Sequence, residues 1–171
     1  MRNIVLIGLP GCGKSTIGKA LAARLKRPFY DADVTVVEMA GETIAEMFAK
    51  SEDYFRSRES GTIRALAQKQ GVVIACGGGV VTRACNMEAL RQTGTVVFLD
   101  RSVDDIVASV DTTTRPLLKE SAEKVRRLDA QRRPLYQRYS DLTVPVEEPF
   151  AKTVQKLAEY FSSENNKKQM K

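Results

Sequence analysis

Ile4-Val-Leu-Ile-Gly8-Leu-Pro-Gly-Cys-Gly13-Lys14-Ser15 is the stretch on which the fold turns. Its first four residues are apolar without alternation, which marks a strand buried on both faces. Gly8 to Ser15 then matches G-x-x-x-x-G-K-[ST], and Lys14 to Leu25 follows with helical spacing. Strand, glycine-rich loop and helix in this order make a cradle for phosphate. The glycines let backbone N–H groups converge on one anion, and the helix N-terminus adds the positive end of its dipole. Gly11, Cys12, Gly13, Lys14, Ser15 and Thr16 are therefore read as nucleotide-binding. Lys14 reaches the β and γ phosphates, and the Ser15 hydroxyl takes one position on Mg²⁺. An ordinary strand-to-helix turn would need the glycines but not Lys14 and Ser15. The loop alone does not separate kinases from switches, motors and DNA-handling ATPases.

Outward from this loop, short β-rich runs alternate with amphipathic helices. Strands are expected at Pro28–Asp33, Val72–Cys76, Thr95–Leu99 and Leu142–Val146. Helices are expected at Val34–Ala40, Thr43–Lys50, Glu52–Lys69, Arg83–Arg91, Ser102–Val110, Ala122–Tyr139 and Phe150–Phe161, with Ser51 as an N-cap. Apolar strands alternating with helices predict an α/β domain of three layers, α/β/α, around a parallel sheet of about five strands. One domain over 1–161 and a flexible polar tail over 162–171 account for the chain.

Composition narrows the chemistry. With 171 residues the chain can bury a full core without a disulfide or metal staple. It holds no His, which removes imidazole catalysis and histidine metal sites. Cys12, Cys76 and Cys85 form no C-x-x-C pair, in keeping with a reducing cytoplasm. No run approaches the ~18 apolar residues of a membrane span, and the apolar run before Gly8 is short for a signal peptide. The expectation is a soluble cytoplasmic protein with no membrane partner. Its net charge of +6 is dispersed, and half of it lies in the tail lysines. No basic run interleaves with aromatics, so nucleic acid is not expected as a partner.

Five further patterns follow the loop in order: Asp31-Ala-Asp33, Phe55-Arg56-Ser-Arg-Glu59, Gly77-Gly-Gly79, Arg115-Pro-Leu-Leu118 and Arg132-Arg-Pro-Leu-Tyr136. Each has a chemical use. Arg56 and Glu59 lie on one helix face, so the carboxylate can hold the guanidinium. Arg56 and Arg132 can grip a carboxylate bidentately. Gly77, Gly78 and Gly79 expose backbone N–H groups to a polyol. Asp33 lies at the carboxyl end of a strand, where open α/β sheets bind ligands. A small hydroxylated acid would use all four features. Simpler uses exist as well: a surface ion pair for Arg56–Glu59, a helix cap for Asp33, a plain loop for the glycines, core packing for Phe48 and Phe55, and Arg133 in place of Arg132.

Taken together the patterns resemble the shikimate kinases, P-loop enzymes of the nucleoside-monophosphate-kinase type of fold, from Arg2 to about Phe161. The resemblance implies transfer of the γ-phosphoryl group of ATP to the 3-hydroxyl of shikimate, on the route to chorismate. It implies that Asp33, Arg56, Gly77, Gly78, Gly79 and Arg132 hold shikimate, between Phe48 and Phe55. It places Asp31 near the Mg²⁺ water shell and gives Lys14, Asp33 and Arg115 the catalytic roles. Arg115 would act from a mobile lid over about 111–122, closing on ATP. Related enzymes often carry an adenine-stacking Arg before that lid. Here Ala108 and Ser109 stand there, which turns attention to the Pro145–Pro149 loop. A monomer with no obligate protein partner is expected. A gluconate kinase would explain the loop but not the two arginines with the triple glycine.

Overall fold

The structure, a computed structural model, describes the backbone of residues 1–109 and 115–169, and the side chains of 1–109 and 122–163. Its sheet has five strands: β1 (Asn3–Ile7), β2 (Phe29–Asp31), β3 (Val73–Ala75), β4 (Gly94–Asp100) and β5 (Leu142–Pro145). All pair in parallel, in the order β2-β3-β1-β4-β5. The helices are α1 (Lys14–Leu25), α2 (Ala32–Ala40), α3 (Ile44–Lys50), α4 (Glu52–Ala67), α5 (Ala84–Thr93), α6 (Val103–Ser109), α7 (Arg115–Tyr139) and α8 (Phe150–Gln169). A single 3₁₀ turn spans Val80–Thr82.

β1 sits at the centre, and Ile4, Val5, Leu6 and Ile7 are fully buried, as their unbroken apolar run requires. Leu6 lies level with Ala75 on one side and Val97 on the other, so the strands end together along one edge of the sheet. The first crossover runs to the β2 side of β1 and later ones run the other way. Right-handed connections then put helices on both faces. The main core includes Ile17, Leu21, Leu66, Met87, Phe98 and Tyr136. A second cluster, Val36, Met47 and Phe55, ties α2, α3 and α4 together beside it. No helix among the described residues is long and apolar enough to cross a membrane.

Three boundaries differ from the sequence reading. The second strand stops at Asp31, because the Asp31 carboxylate accepts from the backbone N–H of Asp33 and Val34 and starts α2 at Ala32. Asp33 thus lies in the first turn of α2, and the helix-capping role falls to Asp31. The helix expected from Ala122 begins at Arg115, where Pro116 falls in a first turn that has no use for its missing N–H. The expected lid over 111–122 lies partly outside the described residues, and its backbone is helical from Arg115 on. The last helix runs past Phe161 to Gln169, through a stretch of Glu, Lys and Gln that favour helix.

Candidate active site

Gly8, Gly11 and Gly13 take φ of 148°, 81° and 96°, a region that side chains rarely enter. A Cβ on Gly8 would also stand 2.7 Å from the Leu99 carbonyl. Only glycine lets the loop curl tightly over the end of β1. Gly13 N-caps α1 in the left-handed conformation with no side-chain acceptor, so the first turn of the helix is open to an anion. Lys14 is buried, and its Nζ donates to the carbonyls of Gly8 and Leu9, each at 2.8 Å. The ammonium is thereby held over the hollow of the loop.

A cleft of about 690 Å³ lies above this loop. Gly11, Gly13, Lys14, Ser15 and Thr16 line it, as do Asp31 and Asp33. Cys12 does not. Its N–H donates to the Leu9 carbonyl at 3.2 Å, and its thiol is buried, 3.6 Å from Lys14 Nζ. Ser15 Oγ donates to Asp31 Oδ2, so hydroxyl and carboxylate stand together on the cleft wall.

The other end of this cleft was not foreseen from the sequence. Arg101, which follows β4, is 5% exposed. Its guanidinium donates to the Gly11 carbonyl at 3.0 Å and to Ser109 Oγ at 3.3 Å, pairs with Glu148, and lies 5.2 Å above the Phe150 ring. Arg101, Ser109, Glu148 and Phe150 all line the cleft. The loop before α8 therefore does contribute a wall, through Glu148. Arg101 carries no motif that would have drawn notice.

A second cleft, of about 530 Å³, adjoins the first. Both are lined by Pro10, Gly11, Asp33, Gly77 and Gly78. Arg56, Glu59, Gly79 and Arg132 line the second, with the rings of Phe48 and Phe55 stacked at 4.5 Å. Arg56 and Glu59 are both buried and bonded at 2.8 Å, so theirs is not a surface ion pair. The Arg56 guanidinium also lies 5.2 Å from the Phe55 ring.

The triple glycine is explained by crowding. A Cβ on Gly77 would meet Asp33 Oδ1 at 2.8 Å and Glu59 at 3.1 Å; one on Gly78 would meet the Pro10 ring at 2.7 Å. A Cβ on Gly79 would collide with the Arg56 guanidinium. The turn is bare so that these side chains can lie on it, and Tyr136 fixes it by donating to the Gly78 carbonyl at 2.6 Å. Arg132 and Arg133 part company here. Arg133 pairs with Asp129 and Asp100, and lies over the Phe98 ring. Arg132, one residue earlier, reaches the cleft.

Burial raises the Asp33 pKa from the ordinary Asp range; Asp31 adds to the rise, while Lys14 and Arg56 oppose it. Burial likewise raises Glu59, against the hydrogen bond from Arg56. The backbone of Arg115 starts α7; its side chain lies outside the described residues.

A phosphate-binding loop on the central strand of a parallel sheet, with a second cleft sharing its wall, defines a P-loop kinase of a small molecule. The sequence model of the shikimate kinase family matches residues 10–162. A shikimate kinase from Clostridium botulinum (strain Eklund 17B / Type B) is 45% identical over 139 residues, covering 81% of this chain and 84% of the relative. Among solved structures, shikimate kinase from Acinetobacter baumannii in complex with shikimate superposes with a TM-score of 0.86 at 34% identity, covering 96% of this chain and 94% of that one. Shikimate kinase from Aquifex aeolicus gives 0.80 at 34% identity, covering 96% and 97%. The chain belongs to the shikimate kinase family.

Proposed function

We propose that this protein transfers the γ-phosphoryl group of ATP to the 3-hydroxyl of shikimate, releasing shikimate 3-phosphate and ADP. The observation that carries this reading is that the two clefts meet at Asp33 and the Gly77–Gly78 turn. The phosphate cradle opens on one side of that junction and a carboxylate-gripping pocket on the other.

The strand order assigns the ends. β2 and β3 lead into Asp31, Asp33 and the triple glycine, β1 into the phosphate loop, and β4 into Arg101. Acceptor, phosphates and nucleoside therefore lie in line across the sheet edge. Arg56, oriented by Glu59, and Arg132 bind the shikimate carboxylate, with Phe48 and Phe55 against the ring. Gly77, Gly78 and Gly79 admit the ring hydroxyls. Asp33 accepts a hydrogen bond from the 3-hydroxyl, aligns its oxygen with the γ-phosphorus and takes its proton. Phosphoryl transfer passes through a loose transition state, so positioning and charge stabilisation supply most of the catalysis. Lys14 stabilises the β and γ oxygens, and Arg115 meets the transferring group from the start of α7. Arg101, Glu148 and Phe150 hold the nucleoside end.

Ser15 and Asp31 suit Mg²⁺. A hydroxyl and a carboxylate, already hydrogen-bonded at the cleft, are hard oxygen donors, too few for an all-protein cage. A cation that keeps several waters and takes phosphate oxygens fits them, with Ser15 direct and Asp31 through water. When bound, Mg²⁺ neutralises charge on the phosphates. The site is complete within one chain, in keeping with a monomer. The free thiols of Cys12, Cys76 and Cys85 accord with the cytoplasm.

The test is ADP release with Mg²⁺ and ATP across shikimate, gluconate and nucleoside monophosphates. Stimulation by shikimate alone is expected. Equal stimulation by gluconate or a nucleotide would overturn the acceptor assignment and leave the donor half standing.

A further inference from the structure

A cavity of about 210 Å³ opens between α4 and the start of α5. It is lined by Ser57, Ser60, Arg64, Arg83, Cys85 and Asn86, and shares no residue with either cleft. Ser57, Ser60 and Arg64 stand at i, i+3 and i+7 and so form one stripe on α4. Arg83 faces it from the N-cap of α5.

Three independent features give this cavity one chemical character. Ser60 is only 6% exposed, and its hydroxyl has no hydrogen-bond partner among the described residues. Native proteins leave few buried polar groups unpaired, so such a hydroxyl marks a place where a ligand atom belongs. Both cations are available. Arg64 makes no ion pair among the described residues, and Arg83 pairs with Asp53, whose side chain is 86% exposed, while donating to Ser57 Oγ at 3.4 Å. The ten-residue α5 begins with no side-chain acceptor on its first turn, so its opening N–H groups and its positive dipole end face the same space. The Asn86 amide is already spent on the Val80 carbonyl at 3.1 Å. The one carboxylate at the rim, Asp53, points to solvent.

We propose that this cavity is a second anion site, separate from the ATP and shikimate clefts, which takes a phosphate group. Its volume corresponds to about seven waters at ~30 Å³ each, which admits inorganic phosphate or the phosphate of a small ester and excludes a nucleotide. Two guanidinium groups, a helix N-terminus and a buried hydroxyl donate into it, a set suited to a tetrahedral oxyanion.

Because the phosphate loop also binds phosphate, the test uses the full chain saturated with ADP and Mg²⁺. Inorganic phosphate is titrated by calorimetry and by its effect on the melting temperature. One further phosphate per chain is expected, with a saturating rise in melting temperature. Arg64→Ala and Arg83→Ala should each weaken that binding about tenfold or more, the loss of one charge-assisted contact. Both should keep shikimate-dependent ADP release in phosphate-free buffer. Ser60→Ala should melt no lower than the parent without phosphate, since its hydroxyl has no partner to lose, and should lose part of the phosphate-dependent rise. Competition by glycerol 3-phosphate would assign the site to phosphate esters, and its failure to free phosphate. Equal phosphate binding by the parent and the Arg64→Ala/Arg83→Ala double variant would overturn the proposal. So would the absence of any phosphate beyond the loop, or a lowered melting temperature of Ser60→Ala.

Discussion

The phosphate loop draws its groups from one unbroken run, Gly8 to Thr16, whereas the acceptor cleft draws its own from α2, α4, the Gly77–Gly79 turn and α7. The first holds its shape through backbone torsions that only glycine tolerates, at Gly8, Gly11 and Gly13. The second holds its shape through side chains lying on glycines whose φ is ordinary, and through a buried Arg56–Glu59 pair. Damage to the loop should therefore act through the backbone, and damage to the acceptor cleft through side-chain placement. Asp33 belongs to both.

The largest effect should come where the two halves share a residue. Asp33→Asn keeps the shape but loses the charge and most of the basicity, so turnover should fall about 10²-fold or more, as when a general base is removed. The raised Asp33 pKa also fixes a sign. The fold favours the protonated form, and that contribution is complete below the ordinary Asp range and lost as pH rises through the raised value. At neutral pH Asp33→Asn should melt no lower than the parent, which separates catalysis from stability in one variant. In the parent, turnover should decline on the acid side as Asp33 protonates, above the ordinary Asp range. A fully active Asp33→Asn would remove the residue from catalysis.

Arg132→Ala should weaken shikimate binding by about one to two decades, the loss of a charge-assisted contact, with the KM for ATP nearly unchanged. A change in the KM for ATP alone would move Arg132 to the donor half. Arg101→Ala should do the reverse and raise the KM for ATP about tenfold, since one charge-assisted anchor of the cleft is lost. Gly79→Ala probes side-chain placement directly. The new methyl collides with the end of a long side chain, so the chain should fold while Arg56 is displaced, raising the KM for shikimate about tenfold. Loss of folding would show instead that the turn itself is intolerant. The smallest effect is expected at Arg133→Ala, about 1 kcal/mol of stability for a partly exposed ion-pair network, with activity kept. That outcome beside Arg132→Ala would sharpen the division between adjacent arginines.

That division could have been read in part from the sequence. Asp129 stands four residues before Arg133 on a helix, which is the spacing of an ion pair, while Arg132 has no acid at that distance. Arg101 offered no such signal. Its partners lie at Gly11, Ser109 and Glu148, far apart along the chain, and meet only where β1, α6 and the segment after β5 converge. Asp31 offered a misleading one. It stands near enough to Ser15 for a metal role, and the same carboxylate also starts α2, so that the aspartate expected as a possible cap is free to face the junction of the clefts.

By itself the sequence determined the strand–loop–helix cradle, the parallel α/β architecture and the order of the patterns behind the phosphate loop. These follow from local torsion preferences and from apolar periodicity, which act over a few neighbouring residues. Tertiary structure alone decided that Arg56 and Glu59 are buried, that the three glycines are bare to make room for side chains, and that Arg101 closes the nucleoside end. Those outcomes depend on distances between residues far apart in the chain. Such distances are set by how helices pack on the sheet, and a run of residue types does not encode them locally.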